Sequence, residues 1–438
     1  MNVRLRSANR GNSNNVWNVN TAGYLNNNNA NNAYRALPDR VSYFPLYGLR
    51  IARIHGDVRH KEPNPCREIG EQQAVDVVGN SGMTLSPVRL YTTAIIDVMD
   101  DEAIIGFEAL WHSMMKCRRG VLWKDSAANF CLDAVKEVSR LCDQLHDGTY
   151  TERPHKYFTV TYPKERSIMS ISFRDRVYQR SLNDVAIYPA MSKSFIYDNA
   201  ACQKGKGADF ARERFRCHLQ RFYRKHGANG YVLKMDVRGY YPNMRHDVAK
   251  AAFRRYLDLN VYDRAAAILD GFPGDVGFNP GSQIIQIAGI SVLNPIDHYI
   301  KEQLRVKHYM RYMDDMLLLG TDPAALEAIR QDIAVRLKTL GFELHPEKTR
   351  ITLLSEGVMY LGFIYHLTPT GKVIMTLDPA RVRAERKKLY RLAQIVKAGR
   401  LPRRKADESY CCWRSHASKG NSYMLIRRMD LYYKSLWR

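Results

Sequence analysis

The stretch Tyr309-Met310-Arg311-Tyr312-Met313-Asp314-Asp315-Met316-Leu317-Leu318-Leu319-Gly320 constrains this chain more than any other. Two adjacent carboxylates stand between apolar and aromatic residues of strand type. Burying such a pair is costly unless a cation neutralises it. The pattern predicts a tight β-hairpin that presents Asp314 and Asp315 at its tip to hard cations such as Mg²⁺. Adjacent aspartates also occur in ordinary turns, so the tetrapeptide needs a third acid to acquire chemical meaning.

Asp236 supplies it. The run Tyr231-Val232-Leu233-Lys234-Met235 reads as a strand that ends at this acid, and Tyr240 and Tyr241 follow four and five residues later. An acid at the end of a central strand can lie beside the tip of a neighbouring hairpin. Three carboxylates there could hold two divalent ions for in-line phosphoryl transfer. One ion would lower the pKa of a primer 3′-hydroxyl. The other would neutralise a triphosphate and its leaving pyrophosphate.

The partner class follows from charge. The chain has 438 residues and a net charge of +23, spread along its length rather than confined to a tail. A surplus of that size predicts a polyanion, and nucleic acid first. No long apolar span or signal peptide is read, so no membrane role is expected. The eight cysteines form no CxxC pair, which predicts neither a zinc site nor a disulfide framework and suits a reducing cytoplasm.

Composition and periodicity divide the chain. Residues 1–40 are Asn-rich, and read either as a low-complexity arm or as an adaptor for RNA or another subunit. Residues 41–105 alternate short apolar runs with turns and form an N-terminal extension. A helical region is expected from Gly106 to Leu145, and a strand from Tyr157 to Tyr162. Asp322-Pro323 and Asp378-Pro379 each offer an N-cap followed by an N1 proline, with Gly341 and Gly399 closing the two helices. The second helix carries Arg381, Arg383, Arg386, Lys387, Lys388 and Arg391. It reads as a solvated charged face or as a rail for a nucleic-acid backbone.

The order of these motifs resembles prokaryotic reverse transcriptases. The likeness is to those of diversity-generating retroelements and of antiphage defence-associated groups, over roughly residues 106–438. Ser172-Phe173-Arg174-Asp175-Arg176-Val177 and the stretch from Phe195 to Ala208 are similar to the fingers-to-palm segment of that family. Asp236 with Tyr240-Tyr241 resembles motif A, Tyr312 to Asp315 motif C, Gly341 to Thr349 motif D, and Met359 to Phe363 the primer-grip motif E. Ser409 to Ser422 is similar to the thumb.

The resemblance implies an α+β right-hand polymerase. Its fingers would span 106–230, a ferredoxin-like palm 231–375 and a short helical thumb 376–438, after the 1–40 arm and the 41–105 extension. It implies RNA-directed DNA synthesis with two Mg²⁺ ions, Mn²⁺ being the alternative, held by Asp236, Asp314 and Asp315. Lys348 would donate a proton to pyrophosphate. Lys164, Arg166, Gly239, Tyr240, Tyr241 and Gln286 would bind the dNTP, Tyr241 as the steric gate against a 2′-hydroxyl. Tyr360, Leu361 and Gly362 would grip the primer, while Arg383, Lys387, Lys388 and Arg391 would follow the backbone.

The implied partners are a structured noncoding RNA template, a DNA or RNA primer and dNTPs, with a protein partner or oligomer through the N-terminal extension. The implied compartment is the bacterial cytoplasm. One position departs from the family: Ile285 stands where the serine of motif B is expected. That departure and the extension favour an antiphage defence role over mutagenic diversity generation. An RNA-binding scaffold or maturase is the reading from a different class.

Overall fold

Burial patterns along the chain build the architecture from its N-terminal side onwards. The computed structural model describes residues 101–161 and 165–438, excluding the Arg166 side chain, so the 1–40 arm and residues 41–100 of the extension lie outside the described residues. The first layer is helical: α1 (Asp101–Ile105), α2 (Phe107–Cys117), α3 (Asp125–Leu132) and α4 (Ala134–His146). The expected helical region 106–145 is thus three helices, broken at residues 118–124, where Gly120 adopts φ +72, and at Asp133.

Next come the antiparallel strands β1 (Lys156–Val160) and β2 (Arg166–Ser170). Helix α5 (Phe173–Leu182) begins where Ser172 accepts a hydrogen bond from Asp175 N, an N-cap that satisfies an otherwise unpaired donor. A π-helical turn at Asn183–Ile187 joins it to α6 (Tyr188–Ser192), and α7 (Ala208–His226) ends at Gly227, with φ +72. Glycine carries no Cβ penalty there.

The central sheet has four strands: β3 (Tyr231–Met235), β4 (Tyr309–Tyr312), β5 (Asp315–Gly320) and β6 (Arg350–Leu353). Their spatial order is β4-β5-β3-β6, with every neighbouring pair antiparallel. Between β3 and β4 the chain makes α8 (His246–Arg254), α9 (Leu259–Asp270), α10 (Gln283–Val292) and α11 (Asn294–His298). Between β5 and β6 it makes α12 (Pro323–Thr339). Strand, helices, hairpin, helix, strand in this order is the βαββαβ arrangement of the ferredoxin-like fold.

Burial explains the sequence of β5. Asp315 to Leu319 are all buried, because α12 packs on β3 and β5 from one side, so the strand reads as a continuous apolar run after its first residue. Asp322 caps α12 by accepting from Ala324 N at 2.9 Å.

A second sheet follows, in the order β7 (Val358–Tyr360), β8 (Phe363–Leu367), β9 (Val373–Leu377). Three helices close the chain: α13 (Pro379–Lys397), α14 (Arg403–Ala417) and α15 (Tyr423–Ser435). They share a small core of Leu389, Tyr410, Met429 and Tyr433, separate from the main one. Asp378 caps α13 through Ala380 N at 2.8 Å. Among the described residues no helix is long and apolar enough to cross a membrane.

Candidate active site at a paired-carboxylate hairpin

Hairpin register places the acids. Tyr312 pairs with Asp315, so Met313 and Asp314 alone form the loop between β4 and β5. Two-residue hairpin loops need positive φ, which glycine or asparagine normally supplies. Here Met313 adopts it, at φ +57. On the neighbouring strand Met235 pairs with Met316, so Asp236, one step on, faces Asp315. Asp236, Asp314 and Asp315 are 7 %, 9 % and 8 % exposed.

Two lysines attend these acids. Lys348 Nζ lies 2.8 Å from Asp236 Oδ1. Lys234 Nζ lies 3.4 Å from Asp315 Oδ1 and donates to Met359 O at 3.3 Å, tying the sheet to β7. Burial pushes the Asp315 carboxyl up, and nearby Asp236 adds to the rise while Lys234 opposes it. Asp315 Oδ1 is buried and receives no hydrogen bond of good geometry.

Among the described residues no three or more His, Cys, Asp or Glu side chains are grouped as a metal cluster. The register brings the acids to one end of the sheet, while the ammonium groups act as counter-ions to two of them. An oxygen-only donor set with a buried oxygen lacking a hydrogen bond fits a hard divalent cation.

The chain beyond β3 is pinned from the motif D side. Arg238 N donates to Glu343 O at 2.8 Å and His345 N to Asp236 O at 2.7 Å. Gly239 sits at φ +55, where a Cβ would meet Asn243 Nδ2 at 2.9 Å. Tyr240 and Tyr241 are buried, and the Tyr240 hydroxyl donates to Gly289 O. Gly289 on α10 leaves room for Tyr241, since a Cβ there would stand 2.6 Å from its hydroxyl oxygen.

One turn earlier on α10, Gln286 Oε1 accepts from Cys202 Sγ at 3.7 Å, and Cys202 Sγ lies 3.7 Å from Met313 Sδ. Gln286 therefore neighbours the hairpin through Cys202. Ile285 is fully buried and serves the core. The serine that acts locally is Ser282, which caps α10 and donates to Gln179 Oε1 at 2.6 Å. Lys164 and the Arg166 side chain lie outside the described residues.

The primer-grip candidates form a second two-residue hairpin. Leu361 and Gly362 join β7 to β8 with φ +41 and +92, the pattern of a type I′ turn. Tyr360 is buried, its ring 5.4 Å from that of Phe215. Arg383, Lys387 and Arg391 are exposed at four-residue spacing on α13, whereas Lys388 is paired with Glu385 at 2.8 Å.

Sequence reasoning passed over the best-bonded side chain near the hairpin. Arg311 on β4 and Asp297 on α11 are both 0 % exposed. Arg311 Nε donates to Asp297 Oδ1 at 2.7 Å and Nη2 to Oδ2 at 2.5 Å. Its Nη1 donates to Met313 O and its Nη2 to Ile290 O, both at 2.8 Å. The Tyr309 hydroxyl also donates to Asp297 Oδ1, at 2.6 Å. An arginine inside an apolar strand was the available signal, because such a charge must find a buried partner.

Residues 162–365 match the family model described as reverse transcriptase (RNA-dependent DNA polymerase). A stretch of 84 residues is 32% identical to the Gag-Pol polyprotein of Rous sarcoma virus subgroup C (strain Prague), covering 18% of this chain and 5% of that one. The Gag-Pol polyprotein of Avian leukosis virus subgroup A (isolate RSA) matches with the same identity and coverage. The chain thus spans 5% of the length of these curated relatives. Among solved structures, telomerase from Candida albicans in complex with a fragment of telomeric RNA is similar at a TM-score of 0.40 and 12% identity, over 65% of this chain and 56% of that one. Apo telomerase from Candida tropicalis is similar at 0.37 and 12%, over 55% and 53%.

Proposed function

We propose that the reverse transcriptase domain matched over 162–365 makes this chain an RNA-directed DNA polymerase. The observation that carries the reading is the β3–β5 register, which sets Asp236 opposite Asp315 with Asp314 on the adjoining tip. Asp236, Asp314 and Asp315 are the residues that would hold two Mg²⁺ ions, or Mn²⁺ in their place. Bound there, such ions would supply activation of the primer 3′-hydroxyl and neutralisation of the triphosphate.

The chain's own groups do the rest. Backbone N–H groups at Gly239 and Tyr240 receive the triphosphate, with Lys164 and Arg166 clamping it. The Tyr241 ring closes the space that a ribose 2′-hydroxyl would need, and Gln286 approaches the incoming nucleotide. Lys348 Nζ gives a proton to the pyrophosphate oxygen as it leaves. The 360–362 turn supports the primer end, and Arg383, Lys387 and Arg391 follow the backbone as fingers, palm and thumb enclose the duplex.

The setting we propose is bacterial, cytoplasmic and antiphage, with a dedicated structured RNA as template and a primer of DNA or RNA. The Ile285 departure and the N-terminal extension support it, and the extension is the place for a protein partner. RNA and DNA that co-purify with the protein from its host test this. A defined noncoding RNA with complementary cDNA is expected; an adenine-mutated copy of a nearby repeat would move the protein to diversity generation. For the chemistry, Asp236→Ala and Asp314→Ala should each abolish dNTP incorporation while RNA binding persists. A biological phenotype left untouched by Asp314→Ala would instead favour an RNA-binding scaffold or maturase role.

A further inference from the structure

The Arg311 guanidinium bonds at once to the catalytic hairpin and to the two helices behind it. We propose that Arg311, held by Asp297 and Tyr309, is the positioning residue that fixes Asp314 by anchoring the Met313 carbonyl. This deepens the polymerase reading above and rests on it.

The loop itself is short and strained. Two residues join β4 to β5, and a methionine occupies the left-handed conformation there. L-residues rarely adopt that region, and such strain persists only where the surroundings over-determine it. The Met313 carbonyl belongs to the same peptide plane as the Asp314 N–H, so anchoring it fixes the plane from which the Asp314 backbone departs. That carbonyl accepts from Arg311 Nη1 at 2.8 Å.

The donor is itself immobilised. Arg311 Nη2 bonds to Ile290 O on α10, and the fork faces both Asp297 oxygens. Its backbone is held too: Arg311 N donates to Asp198 O at 3.1 Å and Ala200 N to Arg311 O at 3.0 Å. The tip is therefore fixed relative to α10, which also carries Gln286 and faces Tyr241.

Stability alone does not require this pair. Replacing a buried ion pair by apolar residues of similar volume is often neutral or stabilising. What apolar residues cannot supply is a donor to the Met313 carbonyl with the planar, several-fold reach of a guanidinium.

The full-length triple variant Arg311→Met, Asp297→Leu, Tyr309→Phe removes the charges and the hydroxyl together, leaving no buried polar group without its partner among these three. It should fold and bind RNA as the parent does. Its kcat for dNTP incorporation should fall about a hundredfold, the loss expected for a reacting group misplaced by about an ångström, with little change in KM. Mn²⁺ binding, read by electron paramagnetic resonance without substrate, should weaken about tenfold, as when an outer partner of a metal ligand is lost. Parental kcat and Mn²⁺ affinity in a folded triple variant would overturn the proposal.

Should the triple variant not fold, Arg311→Lys decides. It keeps the charge against Asp297 but cannot span to Met313 O, so the same two readouts should move in the same direction. Parental values there overturn the proposal equally. Failure of the polymerase reading looks different, because the parent itself would then incorporate no dNTPs.

Discussion

Gly289→Ala is expected to destabilise the parent protein yet stabilise a variant that lacks the Tyr241 ring. A Cβ at 289 would stand 2.6 Å from the Tyr241 hydroxyl oxygen, 3.0 Å from Cζ and 3.1 Å from Cε1. Overpacking of a well-filled core costs about 1–3 kcal/mol. Alanine at an interior helical position regains about 1 kcal/mol over glycine. The parent should therefore lose between about 0 and 2 kcal/mol. In a Tyr241→Ala background the clash is gone and the helical gain remains, so the same substitution should add up to about 1 kcal/mol. The coupling between the two positions is then about 1–3 kcal/mol, well outside ordinary additivity.

Urea unfolding of the four proteins in the cycle measures it. Tyr241→Phe, which removes only the nearest atom, should relieve part of the penalty. Effects that add to within about 0.5 kcal/mol would refute the packing argument. If Tyr241 is the sugar gate, Gly289→Ala should also change discrimination between dNTPs and rNTPs, because the ring moves on its other side.

Three further outcomes follow from features of the same molecule. Burial, then neighbouring His218 and Lys301, lower the His308 imidazole to about 4. The unfolded chain binds that proton from about pH 6.5 downwards while the native state refuses it, so stability should fall between about pH 6.5 and 4 by roughly 1–3 kcal/mol. His308→Phe should flatten that slope except for the share of His416, and parallel pH–stability curves would count against it. Removing Arg383, Lys387 and Arg391 together should reduce the salt slope of RNA binding by about 2, at roughly 0.7–0.9 per phosphate contact. Lys388→Ala, whose ammonium is paired with Glu385, should leave that slope nearly unchanged.

Local signals carried much of the fold. Asp322 and Asp378 cap the helices their Asp-Pro pairs announce, and Gly341 and Gly399 adopt positive φ just past the ends. The apolar run before Asp236 is a strand, as its composition requires. What was illegible is non-local. Nothing near Arg311 in sequence shows that its counter-ion lies fourteen residues earlier on a different element, or that it reaches Ile290 O. The same holds for Lys234, a cation in an apolar strand whose partner Asp315 lies on β5. Spacing along a charge run also hides local pairing: Lys388, in the basic series on α13, is paired with Glu385 of the same helix. Ile285, the departure from motif B, is completely buried on α10, so its difference from serine is one of core packing.

The short bridge between residues 198–200 and Arg311 has a consequence for how far the polymerase parts can be separated. β4 is an outer strand of the central sheet, and at Arg311 its free edge is satisfied by Asp198 O and Ala200 N. An excised 231–375 fragment would lose that cover and expose unpaired backbone groups on a strand rich in aromatic and aliphatic residues, an invitation to edge-to-edge association. It would also lose α7, whose Phe215 packs on Tyr360 and Tyr365. The central sheet depends on the segment before it to cover its β4 edge, so moving that sheet between chains would require carrying residues 198–226 along.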